Sequence, residues 1–289
     1  MNLWVLGMRV RTLPAAIVPV LVGAAAAVGE GSLVLPAVKV ALALVVAVGM
    51  QVGVNYANDY SDGMRGTDTN RVGPTRLVGS GLASPSQVKL AAALAFAIAS
   101  AAGLVLAATT SWWLILVGSA CVIAAIGYTG GPLPYGYHGL GELFVLVFFG
   151  LVATVGTTYV LVERLKWFYI WMGLAVGCWA VALLLINNLR DIPNDKANKK
   201  ITLAVRLGEK RTRILYVITL TLPYLICAAS SATGRSTSIT LIALPLAIRA
   251  IVRLRAATDA HALIGVLAKT AQVQLISGTI LALGLALSG

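Results

Sequence analysis

Long apolar runs, separated by short charged stretches, constrain this chain more than any other feature. Each run is long enough for a helix that crosses the hydrocarbon core of a bilayer, which takes about 20 residues. A transmembrane barrel is excluded, because the runs do not alternate and are too long for tilted strands. The sequence therefore predicts an all-α integral membrane protein that forms one domain over residues 1–289. The nine predicted transmembrane helices are 13–29, 34–54, 88–107, 111–127, 143–162, 168–186, 214–231, 238–254 and 263–288.

The charges indicate how such a protein lies in its membrane. Hydrophobic residues make up 59% of the chain and charged residues only 11%. The net charge of +12 would suggest nucleic-acid binding in a soluble protein, but here the basic residues follow the loops, so we expect a lipid bilayer and no nucleic acid as partner. With the N-terminus in the cytoplasm, 18 of the 22 lysines and arginines fall at that end or in the even-numbered loops. The positive-inside rule thus predicts a cytoplasmic N-terminus.

Two acidic clusters, 55–68 and 187–195, each follow an apolar run and hold five of the ten carboxylates. A charged side chain in the membrane costs about 3 kcal/mol or more, so a group of them indicates a functional site. In helical conformation, each cluster places its polar residues on one stripe of a helix end. The first stripe carries Asn55, Asp59 and Asp62, and the second carries Asn187, Asp191 and Asp195. The predicted orientation puts both clusters at the cytoplasmic face.

Two facing stripes of carboxylates would form a pocket of hard oxygen ligands, which suits Mg²⁺. Asp68, in the glycine-rich stretch after the first cluster, is either a further metal ligand or a local cap. Basic residues among the acids could neutralise a phosphate-bearing ligand. Together these groups predict a diphosphate site. The candidate basic residues are Arg65, Arg71, Arg76, Arg190 and Lys196.

Other sites were weighed against this one. A nucleotide-binding P-loop sequence is missing, and the stretch DYSDGMRGTD lacks the closing glutamate of a calcium-binding loop. A cation-coupled transporter remains an alternative, because acidic residues in helical bundles also mark ion pathways. Its acids would lie near the midplane, whereas these lie at helix ends.

The clusters also carry a family resemblance. NDYSDGMRGTDTNR, followed far downstream by DIPND, resembles the paired aspartate-rich motifs of the UbiA superfamily of intramembrane aromatic prenyltransferases. RTLPAAIVPVLVG, YTGGPLPYGYHGLGE and NNLRDIPNDKANKKITLAVRLG make the chain most similar to the branch that prenylates 1,4-dihydroxy-2-naphthoate in bacterial menaquinone synthesis. The four matches occur in the family's order and span nearly the whole chain.

This resemblance implies a helical bundle with a central cavity, roofed by cytoplasmic active-site loops and open sideways to lipid, in a bacterial plasma membrane. It adds Asn58 to the residues that bind Mg²⁺ and diphosphate. The general pattern has an aspartate where this chain has Gly66, and here the acid follows at Asp68. The implied metal ligands are Asn58, Asp59, Asp62, Asp68, Asp191 and Asp195, of which Asp59, Asp62, Asp191 and Asp195 are also the predicted catalytic residues.

The implied reaction is Mg²⁺-dependent transfer of a prenyl group from polyprenyl diphosphate to 1,4-dihydroxy-2-naphthoate, with release of diphosphate and carbon dioxide. Another acceptor, such as hydroxybenzoate, haem or a chlorin, is the alternative within the superfamily. The predicted substrate-binding residues are Arg11, Asn55, Arg65, Arg71, Arg76, Tyr128, Tyr135, Asn187, Asn188 and Lys196. Among these, Arg11, Tyr128 and Tyr135 are the expected contacts of the aromatic acceptor.

Overall fold

A computed structural model describes residues 2–28, 36–67 and 73–288, and its regular structure is helical throughout these ranges. Two predicted site residues, Asp68 and Arg71, lie outside the described residues. The helices are α1 Leu3–Met8, α2 Pro14–Val28, α3 Ala37–Met64, α4 Pro85–Thr109, α5 Leu114–Gly127, α6 Gly141–Val145, α7 Ala153–Val162, α8 Trp167–Ala197, α9 Leu203–Ser230, α10 Leu244–Ala256 and α11 Ala260–Leu287.

The prediction of a multi-pass helical membrane protein is confirmed, but the number of nine spans is not. Within the described residues, seven helices are long and apolar enough to cross a membrane. An eighth span results if α1 and α2, which meet at a bend of 53°, are counted as one. The remaining run forms α5, whose 14 residues extend only about 21 Å, short of a core of about 30 Å.

The spanning helices pack in pairs, and their ends carry the acidic clusters. α3 lies along α4, α8 along α9, and α11 along α2. Both α3 and α8 continue past their apolar runs, so residues 55–64 and 187–195 belong to the last turns of helices and not to loops. A hydrogen bond of 2.9 Å from the Asn194 side chain to the Thr67 carbonyl ties the two helix ends together.

The fold also depends on a close helix contact beside the cavity. A π-helical segment, Leu146–Val152, joins α6 to α7 and brings Gly150 against α8. A Cβ atom on Gly150 would lie 2.6 Å from both the Gly173 carbonyl oxygen and the Gly177 Cα. Both atoms belong to the backbone, so they cannot move aside as a flexible side chain could. Glycine is therefore required here by close approach.

Gly150→Ala is expected to destabilise the protein by about 1–3 kcal/mol, the usual cost of overpacking a tight contact. The thermal unfolding midpoint in detergent should fall accordingly. Gly265→Ala is the matched control, because a Cβ on this helical glycine would meet nothing within 4 Å. An unchanged midpoint for Gly150→Ala would contradict the close contact.

Candidate active site

A large cavity of about 1120 Å³ opens between the helices, and described residues of both acidic clusters line it. Its polar end is lined by α3 and α8, together with the segment after each of them. Its apolar part runs between α3, α4, α5 and the segment from α6 to α7. The acidic and amide residues that line it are Gln51, Asn55, Asn58, Asp62, Asn187, Asn188, Asp191, Asn194 and Asp195.

The polar stripe of α3 consists of Asn55, Asn58 and Asp62, all of them buried. Asn55 donates to the Met8 carbonyl at 2.8 Å, which ties α3 to the end of α1. Asn58 accepts a hydrogen bond of 2.7 Å from the Thr129 hydroxyl. Its oxygen is thereby fixed beside Asp62, one turn along the helix.

Asp62 contacts three side chains at this end of the cavity. The Tyr137 hydroxyl donates to one of its oxygens at 2.8 Å. The other oxygen lies 3.5 Å from the Lys200 ammonium and 3.7 Å from the Arg76 guanidinium. Burial and the charge of Asp62 raise the pKa of Tyr137 to about 12, so this phenol remains a donor at neutral pH. The Asp62 carboxylate therefore lies between two cations and a phenol.

Asp59 does not occupy the position that its predicted role requires. It does not line the cavity, and its carboxylate accepts from the backbone amides of Leu77 and Val78 at 2.8 and 3.0 Å. These two bonds engage both oxygens of a side chain that is 1% exposed. Asp59 thus holds the segment that carries Arg76. Asn58, and not Asp59, lines the cavity wall.

On α8, Asp191 is paired with its neighbour Arg190. Two hydrogen bonds of 2.8 Å join the Arg190 guanidinium to both carboxylate oxygens. The same guanidinium donates to the side-chain oxygen of Asn187 at 2.9 Å. All three residues are at least partly buried, so this arrangement is a charge pair with little access to water.

The rest of the α8 stripe is also fixed by side-chain contacts. Asn188 donates to Glu142 of α6 at 2.9 Å, and both residues are buried. Asp195 is buried and lines the cavity four residues beyond Asp191. Asn194, on the same stripe, makes the bond to Thr67 that joins α8 to the end of α3.

The predicted basic residues divide into two groups. Arg76 lines the cavity, whereas Lys196 is exposed and does not line it. Arg65 is exposed and donates to the carbonyl oxygens of Thr129 and Gly131. It contributes to a different, outer pocket. Arg65 and Lys196, both predicted to bind diphosphate, therefore do not line the cavity that holds the acidic residues.

Aromatic residues form the wall beyond the acids. Tyr128 meets Tyr135 edge to face at 5.4 Å, and Tyr135 stacks on Phe144 at 3.9 Å. Phe148 continues the row at 5.8 Å from Phe144. All four line the cavity, as does Arg11 near its opening. The two tyrosines and Arg11 thus line the cavity, and their role as acceptor contacts stays a prediction.

The donor set around the cavity matches the ligand chemistry of Mg²⁺. Carboxylates and amide oxygens are the hard ligands that this ion takes, together with water and substrate phosphate oxygens. Within the described ranges, no three histidine, cysteine or acidic side chains form a ready-made metal site. The oxygen donors therefore suit an ion that arrives with part of its ligands from the substrate.

Three residues at the site were not among the predicted contacts. Tyr137 and Lys200 both contact Asp62. Gln51 donates to the Thr12 hydroxyl at 3.0 Å, and its own oxygen is buried without a partner in the described structure. Gln51 lies four residues before Asn55, so helical spacing could have predicted that it shares the polar stripe of α3.

Comparison with known proteins gives one consistent family. The UbiA prenyltransferase family matches residues 16–285. The chain is 48% identical to a 1,4-dihydroxy-2-naphthoate octaprenyltransferase of Mycobacterium tuberculosis over 273 residues, covering 94% of this chain and 93% of the relative. It is 39% identical to the protein of the same name in Escherichia coli over 233 residues, covering 78% and 75%.

Solved structures show the same fold at low sequence identity. A UbiA homolog from Archaeoglobus fulgidus bound to DMAPP and Mg²⁺ is 14% identical, with a TM-score of 0.64 over 97% of this chain and 99% of the other. The apo structure of a UbiA homolog from Aeropyrum pernix is 16% identical, with a TM-score of 0.65 over 94% and 97%.

Proposed function

This chain belongs to the UbiA prenyltransferase family, and we propose that it transfers a polyprenyl group to 1,4-dihydroxy-2-naphthoate. The observation that carries this proposal is the pair of buried acidic helix ends that share one cavity with an aromatic wall. Relatives at 39% and 48% identity carry the name of that activity. The products would be a demethylmenaquinol, diphosphate and carbon dioxide, formed by one membrane-embedded domain.

The polar end of the cavity would hold the diphosphate. Asp62, Asp191 and Asp195, with Asn58, are the groups that we propose as ligands of Mg²⁺, which supplies positive charge to the leaving group. Arg76 and Lys200 add two cations beside Asp62. Asp191 would release part of its hold on Arg190 when it takes up an ion. Asp59 would act indirectly, because it fixes the segment that carries Arg76.

The aromatic wall would receive the allylic end of the donor. Cleavage of the carbon–oxygen bond leaves an allylic cation, which aromatic faces stabilise and an apolar cavity protects from water. Tyr135 and Phe144 offer such faces. A ring carbon of the naphthoate then bonds to the cation. The carboxylate departs as carbon dioxide, and its bonding electrons restore the aromatic ring.

The direct test uses purified protein in lipid with dihydroxynaphthoate, a polyprenyl diphosphate and Mg²⁺. We expect prenylated product and one carbon dioxide for each diphosphate released, and no product with EDTA. A parallel panel with hydroxybenzoate tests the acceptor. Turnover of hydroxybenzoate in preference to the naphthoate would overturn the proposed acceptor, and intact substrates would overturn the transferase itself.

Gln51 is proposed to bind a ring hydroxyl of the acceptor, because its buried side-chain oxygen has no other donor in the described structure and the residue lines the cavity. Gln51→Leu should raise KM for the naphthoate about tenfold, the loss of roughly one good hydrogen bond. KM for the prenyl diphosphate should not change.

Gln274→Leu is the matched control for Gln51. Its side-chain amide is likewise buried and unpartnered in the described structure, but it does not line the cavity. Steady-state kinetics with each substrate varied in turn separates the two variants. Equal naphthoate KM values for Gln51→Leu and wild type would contradict this assignment.

The orientation of the site is proposed from charge. With the acidic ends of α3 and α8 in the cytoplasm, most lysines and arginines lie on that side, as the positive-inside rule requires. Arg164→Cys should then react with a membrane-impermeant thiol reagent in intact spheroplasts, and Lys210→Cys only after the membrane is permeabilised. Labelling of Arg164→Cys from the cytoplasmic side alone would reverse the orientation.

A further inference from the structure

We propose that a second pocket, outside the cavity but at the same end of the bundle, is a binding site for inorganic diphosphate. The pocket has a volume of about 360 Å³. The described residues that line it are Arg65, Pro132, Pro134, Tyr137, His138, Lys199, Ile201 and Arg206. Three of these side chains are cationic, one is a histidine and none is acidic. This inference rests on the proposed function, which makes diphosphate the leaving group.

Two side chains of this outer pocket, Arg65 and His138, are held by backbone carbonyl oxygens. Arg65 donates to two backbone carbonyl oxygens, which fix its guanidinium but bring no negative charge. The ring nitrogen Nδ1 of His138 lies 2.9 Å from the Pro134 carbonyl oxygen. A carbonyl can only accept, so Nδ1 donates there.

Two consecutive lysines connect the outer pocket with the cavity. Lys200 lines the cavity and lies 3.5 Å from Asp62, whereas Lys199 lines the outer pocket. Lys199 has a φ of 56°, in the left-handed region that side chains other than glycine rarely adopt. The backbone turn at this residue sends neighbouring side chains into two different pockets.

The side chain of Tyr137 contacts residues of both pockets. Its ring lies under the Arg65 guanidinium at 5.1 Å and under the Lys200 ammonium at 4.9 Å. Its hydroxyl reaches Asp62 of the cavity, while its ring lines the outer pocket. An anion that leaves Lys200 therefore has the Arg65 guanidinium beside the same aromatic ring.

This arrangement fits an anion with several charges and a small size. Three cations in a pocket of this volume favour a multivalent anion over a monovalent one, because each charge–charge attraction adds to the next. Diphosphate has those charges and is produced in the adjoining cavity. The outer pocket would hold it after it leaves the metal ligands, which separates the product from the allylic cation.

The experiment measures binding without turnover. Full-length protein in phosphatidylcholine nanodiscs, with EDTA present, is titrated with inorganic diphosphate by calorimetry. Removal of Mg²⁺ leaves the cavity with carboxylates that repel the anion, so the outer pocket dominates the signal. Neither prenyl donor nor aromatic acceptor is present, so the result is independent of whether prenyl transfer occurs.

We expect saturable binding by the wild type and at least tenfold weaker binding by Lys199→Ala/Arg206→Ala. Lys210→Ala/Arg211→Ala removes the same charge from exposed positions that line neither pocket, and its affinity should stay within twofold of wild type. Lys199→Gly is a second variant, since glycine adopts this backbone conformation freely. It should fold as the wild type does and bind diphosphate more weakly.

Three results would overturn the proposal. The first is an affinity of the pocket variant equal to that of the wild type, and the second is an equal loss in both double variants. The third result would indicate a lipid site. In that case diphosphate does not bind, and in mixed-lipid nanodiscs phosphatidylglycerol is enriched around the wild type but not around the pocket variant.

Discussion

Replacement of Asp62 by asparagine is expected to lower prenyl transfer about a thousandfold, which corresponds to about 4 kcal/mol of transition-state stabilisation. The substitution keeps the shape of the side chain and an acceptor for the Tyr137 hydroxyl, so the protein should still fold. It removes the charge that lies between Lys200 and Arg76. Without that charge, the proposed ion loses a ligand and the two cations lose their common partner.

Initial rates with dihydroxynaphthoate and a polyprenyl diphosphate, measured across a range of Mg²⁺ concentrations, test this expectation. Glu209→Gln is the charge-matched control, because Glu209 is exposed, pairs with Arg213 and does not line the cavity. It should retain the wild-type rate. An Asp62→Asn protein with more than a tenth of the wild-type rate would remove Asp62 from the catalytic site.

Asp191→Asn is expected to cause a similar loss of rate and, unlike Asp62→Asn, a large loss of stability. The Arg190 side chain is 1% exposed, and both oxygens of Asp191 neutralise it. Breaking a buried pair by removing one partner costs about 3–5 kcal/mol, because the other charge remains buried. The thermal unfolding midpoint of Asp191→Asn should therefore fall clearly below that of the wild type.

A double variant separates the two effects of Asp191. Arg190→Gln/Asp191→Asn removes both charges, so most of the lost stability should return while the rate stays low. Unfolding midpoints and rates of the single and double variants form the measurement. If the double variant regained activity along with stability, Asp191 would be a structural partner of Arg190 and not a group that acts on the substrate.

The sequence predicted that two acidic helix ends form one site, but it could not choose between Asn58 and Asp59. Asn55 and Asp62 share one face of α3, and at 3.6 residues per turn the two candidates lie about 50° to either side of it. Helical periodicity is therefore symmetric between them. Packing decides the matter: the backbone amides of Leu77 and Val78 engage Asp59, and Asn58 remains at the cavity.

The basic residues were predicted less well, for a related reason. Arg65 and Lys196 were predicted because they lie close in sequence to an acidic cluster, but neither lines the cavity. Lys200, which does line it, was not predicted. Lys200 reaches Asp62 because the chain turns at Lys199, a residue without the glycine that usually marks such a backbone conformation. Local composition carries no signal for a turn of this kind.

The acidic residues lie on the same continuous helices that traverse the lipid. α3 has 28 residues and α8 has 31, or about 42 and 46 Å of helix, against a hydrocarbon thickness of about 30 Å. Such rods accommodate a thicker or thinner bilayer by tilting, and a tilt displaces their ends most. We therefore expect the distance between the acidic ends of α3 and α8 to change with acyl-chain length, so that the composition of the host membrane would enter the geometry of the site.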